Sequence, residues 1–178
     1  MHLTEFAKKL IVFVIVVIVF LALDLFIKEL AATNLKEEIV VIPGFWSFQL
    51  TYNDDMGFSL LRFADSFLDK TSKIMVIVTL QFIGVIIAAY FYFTKTEFLK
   101  PWPKKLPLAL ICAGGLGNAI DRILRGRVVD YILWYVKDFS WPIFNLADTY
   151  TVIGLLTLLI LFLFTERKKK VLSYKTNI

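Results

Sequence analysis

Four apolar stretches, at about residues 10–27, 74–93, 106–123 and 143–164, limit what this chain can become. Each is close to the roughly 20 residues an α-helix needs to cross the hydrocarbon core of a bilayer. With 58% of its 178 residues hydrophobic, the chain is too apolar for a soluble domain. The expectation is a mainly α membrane protein with four transmembrane helices, forming one domain over 1–178. The first stretch follows Lys8 and Lys9 as a secretory signal would. However, it continues past about 15 residues, ends in Asp24, Lys28 and Glu29, and lacks a small-x-small cleavage site, so it reads as a retained helix.

An even number of spans puts both termini on one side, and the basic residues say which. Lys8, Lys9, Lys95, Lys100, Lys104, Lys105, Arg167, Lys168, Lys169, Lys170 and Lys175 fall on one face, opposed only by Glu5, Glu97 and Glu166. Positive residues favour the cytoplasm, so both termini and the loop 94–105 are expected there. The long segment 28–73 and the shorter 124–142 then face outward. The net charge of +5 is accounted for by orientation, and no nucleic-acid partner is expected. One cysteine, Cys112, and one histidine, His2, leave no disulfide framework and no ordinary zinc site. Cys112 lies in an apolar run and reads as a small buried hydrophobe.

Within the outer segment, EIVVIP and FWSFQLTYN partly alternate apolar and polar residues, with Pro43-Gly44 as a turn between them. A small extracytoplasmic β-sheet is expected here, its aromatic residues at the membrane interface. Residues 60–68 read as a short amphipathic helix.

The polar residues inside this apolar framework converge. Asp24 and Lys28 end the first span; Asn118, Asp121 and Arg122 end the third; Asn145 and Asp148 start the fourth; Asp130 stands in the connection between the last two. At about 1.5 Å per residue, Asp148 lies less than roughly 10 Å below the outer boundary. A carboxylate near a bilayer is expensive unless it is paired, solvated or chemically active. Asp24–Lys28 has the spacing of a structural i, i+4 pair, Asp121 can pair with Arg122 or Arg125, and Asn145 suits a helix cap. Asp148 has no basic residue within a turn, and Asp130 is flanked by Val129 and Tyr131. Two such acids are the equipment of an aspartic protease. A proton relay in a transporter, or a non-catalytic lipid-binding role, remains open on residues alone. The third helix also has a small-and-polar face of Gly114, Asn118, Asp121 and Arg125, a close-packing pair in Ala113 and Gly117, and Gly126 as its terminator.

At these motifs the chain resembles the lipoprotein signal peptidases, or signal peptidase II, over essentially its whole length. The matching blocks are Asp24-x-x-x-Lys28, YNDDMGFSLL, AGGLGNAIDRILRGRVVDYI and FNLADTYTVIG. The last two together, with nine residues from Asp121 to Asp130 and eighteen on to Asp148, are highly specific. The resemblance implies a membrane aspartyl endopeptidase that cuts diacylglyceryl-modified prolipoproteins immediately before the lipidated cysteine. Asp130 and Asp148 would be its catalytic dyad. Asn53, Asn118, Arg122 and Asn145 match substrate-binding positions, while Asp24, Lys28, Asp121 and Gly57 match supporting ones. It also implies no metal or organic cofactor, membrane lipids as surroundings and a monomer. The place would be a bacterial cytoplasmic (inner) membrane, with the site near the outer leaflet. Asp55 stands where the family commonly has Gly, and Asp tolerates left-handed backbone better than most residues.

Overall fold

The first apolar run extends beyond its expected bounds. Helix α1 covers Glu5–Asn34 in the computed structural model, which describes residues 4–54, 67–94 and 99–176. Thr4 begins it, its hydroxyl accepting the Ala7 N–H at 3.2 Å, with Glu5 in the first turn. Only Val17, Asp24 and Lys28 are buried, while Leu10, Ile15, Ile18 and Phe26 are exposed. A helix that hides Asp24 and Lys28 and shows its hydrocarbon is built for lipid.

Helix α2 covers Lys70–Phe93 and starts at Asp69, whose carboxylate accepts the N–H groups of Thr71 and Ser72. Helix α3, Leu106–Arg125, follows a short 3₁₀ turn over Trp102–Lys105. Helix α4 covers Leu146–Thr176. All four are long and apolar enough to cross a membrane, α4 through its part 146–165. The fourth begins three residues later than the hydropathy suggests. Phe144 is instead bridged to Ile132 as extended backbone, which uses its N–H and C=O outside any helix.

Helix α3 is central and packs against α1, α2 and α4. Its small residues allow this. A Cβ on Gly114 would overlap the Ala147 carbonyl oxygen and the Thr151 hydroxyl of α4. Gly126 ends the helix with φ +66, as its position suggests. An apolar cluster of Val17, Ala88, Tyr92, Leu99, Leu108, Ala109 and Cys112 fills the bundle at the end away from the acids. There Lys105 donates to the carbonyls of Phe91, Tyr92 and Thr94, closing the end of α2.

Above the other end lies a four-stranded antiparallel sheet in the order β1-β2-β3-β4. Strands β1 (Ile39–Ile42) and β2 (Trp46–Asn53) fall where the alternation suggests. Strands β3 (Val128–Val136) and β4 (Phe139–Ser140) fall in the segment read as a mere connection, so the sheet joins both segments between the helices. The first four residues of β3 are all buried, which erases the period-2 pattern that marks a half-buried strand. The expected amphipathic helix at 60–68 falls almost wholly outside the described residues, as do Gly57 and Asp55.

Candidate active site

Strand β3 carries Asp130 over the helix ends, paired with Thr51 of β2. Its side chain is only 2% exposed. One carboxylate oxygen accepts from Asn145 Nδ2 at 2.6 Å and the other from Asn53 Nδ2 at 3.0 Å. Burial, and then the charge of Asp148, push its pKa up to about 7; the two amide donors and the Lys28 ammonium pull the other way without prevailing. Asp130 therefore holds its proton to neutral pH.

Asp148 is partly exposed and sits in the first turn of α4. It forms a reciprocal cap with Asn145. The Asn145 N–H donates to Asp148 Oδ2 at 3.2 Å, and the Asp148 N–H donates to Asn145 Oδ1 at 3.0 Å. The other Asp148 oxygen accepts from Asn118 Nδ2 at 2.8 Å. Asn145 thus serves both acids, through its side-chain amide to Asp130 and its main-chain amide to Asp148. Its expected capping role is real, and the bridge to Asp130 is what sequence reasoning missed. Fifteen residues separate Asn145 from Asp130, and no local signal reports that contact.

Beneath the acids lies a fully buried charge cluster. Lys28 pairs with Asp24 at 2.8 Å, as their spacing suggests, and also with Asp121 at 3.5 Å. Asp24 has a second task, accepting the Ala147 N–H of α4 at 2.9 Å. Asp121 takes Arg125 rather than Arg122 as its arginine, at 3.2 Å, and accepts the Val129 N–H next to Asp130 at 3.1 Å. Gly117 makes the cluster possible, because a Cβ there would strike the Asp24 carboxylate. Arg122 donates to the Asn118 carbonyl at 3.2 Å and to Gln81 at 3.5 Å. Arg127 stacks over the ring of Tyr52 at 3.6 Å. A groove of about 510 Å³ between α2 and α3 runs up to Arg122, lined by Ile74, Met75, Val78 and Ile123 among others. Among the described residues no group of His, Cys, Asp and Glu is arranged to hold a metal ion.

Of the named candidates, the structure brings together Asp130, Asp148, Asn53, Asn118, Asn145, Asp24, Lys28 and Asp121 through continuous hydrogen bonds and ion pairs, with Arg122 at the edge. Chemically, the arrangement offers a proton-holding acid beside a second carboxylate, with amides fixing both.

Comparison with known proteins gives the same direction. The family model described as Signal peptidase (SPase) II matches residues 16–164. A lipoprotein signal peptidase of Xylella fastidiosa (strain M12) is 38% identical over 152 residues, covering 84% of this chain and 87% of that protein. One from Xanthomonas campestris pv. campestris (strain 8004) is 32% identical over 154 residues, covering 85% and 88%. A bacterial membrane enzyme solved by the in meso method at 2.3 Å resolution superposes with a TM-score of 0.74 at 26% identity, covering 89% of this chain and 91% of the other. A second, at 1.9 Å, gives 0.69 at 27% identity, covering 85% and 92%.

Proposed function

Because the chain belongs to the signal peptidase II family, whose members are multi-pass bacterial membrane peptidases acting on lipoprotein signal peptides, we propose that Asp130 and Asp148 are its catalytic dyad. The substrate is a diacylglyceryl-modified prolipoprotein, cut on the N-terminal side of the lipidated cysteine. The observation that carries this reading is the bridging Asn145, which ties both carboxylates to one residue.

Asp130 enters the reaction protonated and Asp148 as the carboxylate. Asp148 takes a proton from water, whose oxygen attacks the scissile carbonyl carbon, while the Asp130 proton goes to the carbonyl oxygen. When the C–N bond breaks, the proton on Asp148 passes to the departing nitrogen, and Asp130 recovers its own from the re-forming carbonyl. Activity falls as pH rises above about 7, where the Asp130 proton is lost.

Positive-inside bias supports cytoplasmic termini and an active end facing the outer leaflet. A lipid-modified cysteine anchored in that leaflet presents its scissile bond at the level of the acids. The apolar groove beside Arg122 suits a hydrocarbon segment of the substrate, with Asn53 and Arg122 orienting its backbone while the buried Asn118 and Asn145 hold the two acids. The test is incubation with a synthetic diacylglyceryl prolipoprotein peptide, followed by mass measurement of the released fragment. Asp130→Asn and Asp148→Asn should each lower kcat by roughly 10⁴-fold. Near-normal processing by a folded Asp148→Asn enzyme would refute the dyad.

A further inference from the structure

We propose that Lys28 is a positioning residue whose ammonium fixes the amide of Asn118 in the one orientation that presents its NH₂ group to Asp148. The inference rests on the reading of Asp148 as catalytic.

Lys28 Nζ donates to Asn118 Oδ1 at 2.8 Å and forms ion pairs with Asp24 Oδ2 at 2.8 Å and Asp121 Oδ2 at 3.5 Å. The residue is 0% exposed, so it is closed off from bulk solvent. An asparagine amide has two ends of nearly equal shape, and its neighbours decide which way it turns. At Asn118 the carbonyl oxygen accepts from Lys28 and from Asn145 Nδ2 at 3.2 Å, leaving Nδ2 to donate to Asp148 Oδ1 at 2.8 Å. The reversed amide would set NH₂ against an ammonium and an amide donor, and C=O against a carboxylate. Both contacts are repulsive in a buried place.

Neutralising Asp24 is one task of Lys28, and holding Asn118 is a second. Asp121 is already paired with Arg125 and accepts the Val129 N–H, while Asp24 takes the Ala147 N–H on its other oxygen. Among the described residues, Lys28 and Asn145 alone hold the Asn118 side-chain oxygen. Asn145 in turn donates to Asp130, so one asparagine carbonyl joins the supports of both acids. Among the described residues, the charged groups around this point are Asp24 from α1, Asp121, Arg122 and Arg125 from α3, Asp148 from α4 and Asp130 from β3. Of these, Asp130 is held lower by the Lys28 ammonium than burial alone would set it.

The experiment is a double-mutant cycle on the purified full chain, with kcat, KM and the pH profile measured on a synthetic diacylglyceryl prolipoprotein peptide. Lys28→Met strands the buried Asp24 carboxylate, so the charge-balanced pair Asp24→Asn/Lys28→Met is made as well. Either should lower kcat by about 10- to 100-fold, the range seen when an orienting partner is lost, with KM little changed. In an Asn118→Ala background the same changes should lower kcat no further. Loss of the ammonium should also move the alkaline limb of the profile upward. Independent, multiplying losses in the cycle, or wild-type kcat in the charge-balanced variant, overturn the positioning role. Failure of the underlying reading is separate, since it appears as an active Asp148→Asn enzyme.

Discussion

Asp130→Asn should make the protein less stable in acid and more stable above neutrality. In the folded chain Asp130 keeps its proton to about pH 7, because burial and the Asp148 charge both oppose ionisation. An ordinary aspartate, as in the unfolded chain, loses its proton near 3.8. The folded value is raised, so the linked stability is fully present below about pH 4 and is lost as pH rises to about 7. A gap of roughly 3 pH units corresponds to about 4 kcal/mol. Asparagine does not titrate, so the variant lacks this slope. It does place an NH₂ group against one of the two donors now satisfied by Asp130, Asn145 Nδ2 or Asn53 Nδ2, which costs about 1–3 kcal/mol at every pH. The stability difference between variant and wild type should therefore change sign between pH 4 and 8. Its swing of about 4 kcal/mol corresponds to roughly 8–16 °C in Tm for a chain of this size. Thermal unfolding in detergent micelles, followed by tryptophan fluorescence across that range, measures it. A difference that stays flat from pH 4 to 7, or that grows in favour of the wild type, refutes the claim that Asp130 is buried with its proton.

Three further outcomes test the surrounding structure. Asn145→Ala removes the side-chain donor to Asp130 and the cap on the Asp148 N–H; kcat should fall at least 100-fold and stability by about 1–2 kcal/mol, measured by peptide cleavage and thermal unfolding. Gly114→Ala drives a methyl group into the Ala147 carbonyl oxygen and Thr151 of α4, where backbone cannot yield, and should lower stability by about 1–3 kcal/mol in the same unfolding assay. Lys105→Met strips the donor from three carbonyls at the end of α2, far from the acids. It should lower Tm by several degrees while kcat on the lipopeptide stays within about twofold of wild type.

Length and hydropathy were enough to place four membrane-spanning helices, because a span is a local property that about twenty consecutive residues declare by themselves. Charge spacing was also enough to pair Lys28 with Asp24, since i, i+4 neighbours meet on any helix. Gly126 was legible as a stop for the same local reason. The motif blocks around Asp121, Asp130 and Asp148 pointed to the family that the comparisons then identified. Strand β3 escaped notice, because a strand buried on both faces loses its alternation and looks like any short apolar run. The roles of Asn145 and Asn118 escaped too, although each was picked out as a candidate. Amides point where tertiary neighbours turn them, and these neighbours come from α1, β3 and α4. The amino-acid order alone decided that acids and amides would gather at one end of a helical bundle in a membrane. Only the folded chain decided which atoms face each other there, because hydrogen bonds between residues 15 to 123 positions apart leave no periodic trace in a sequence.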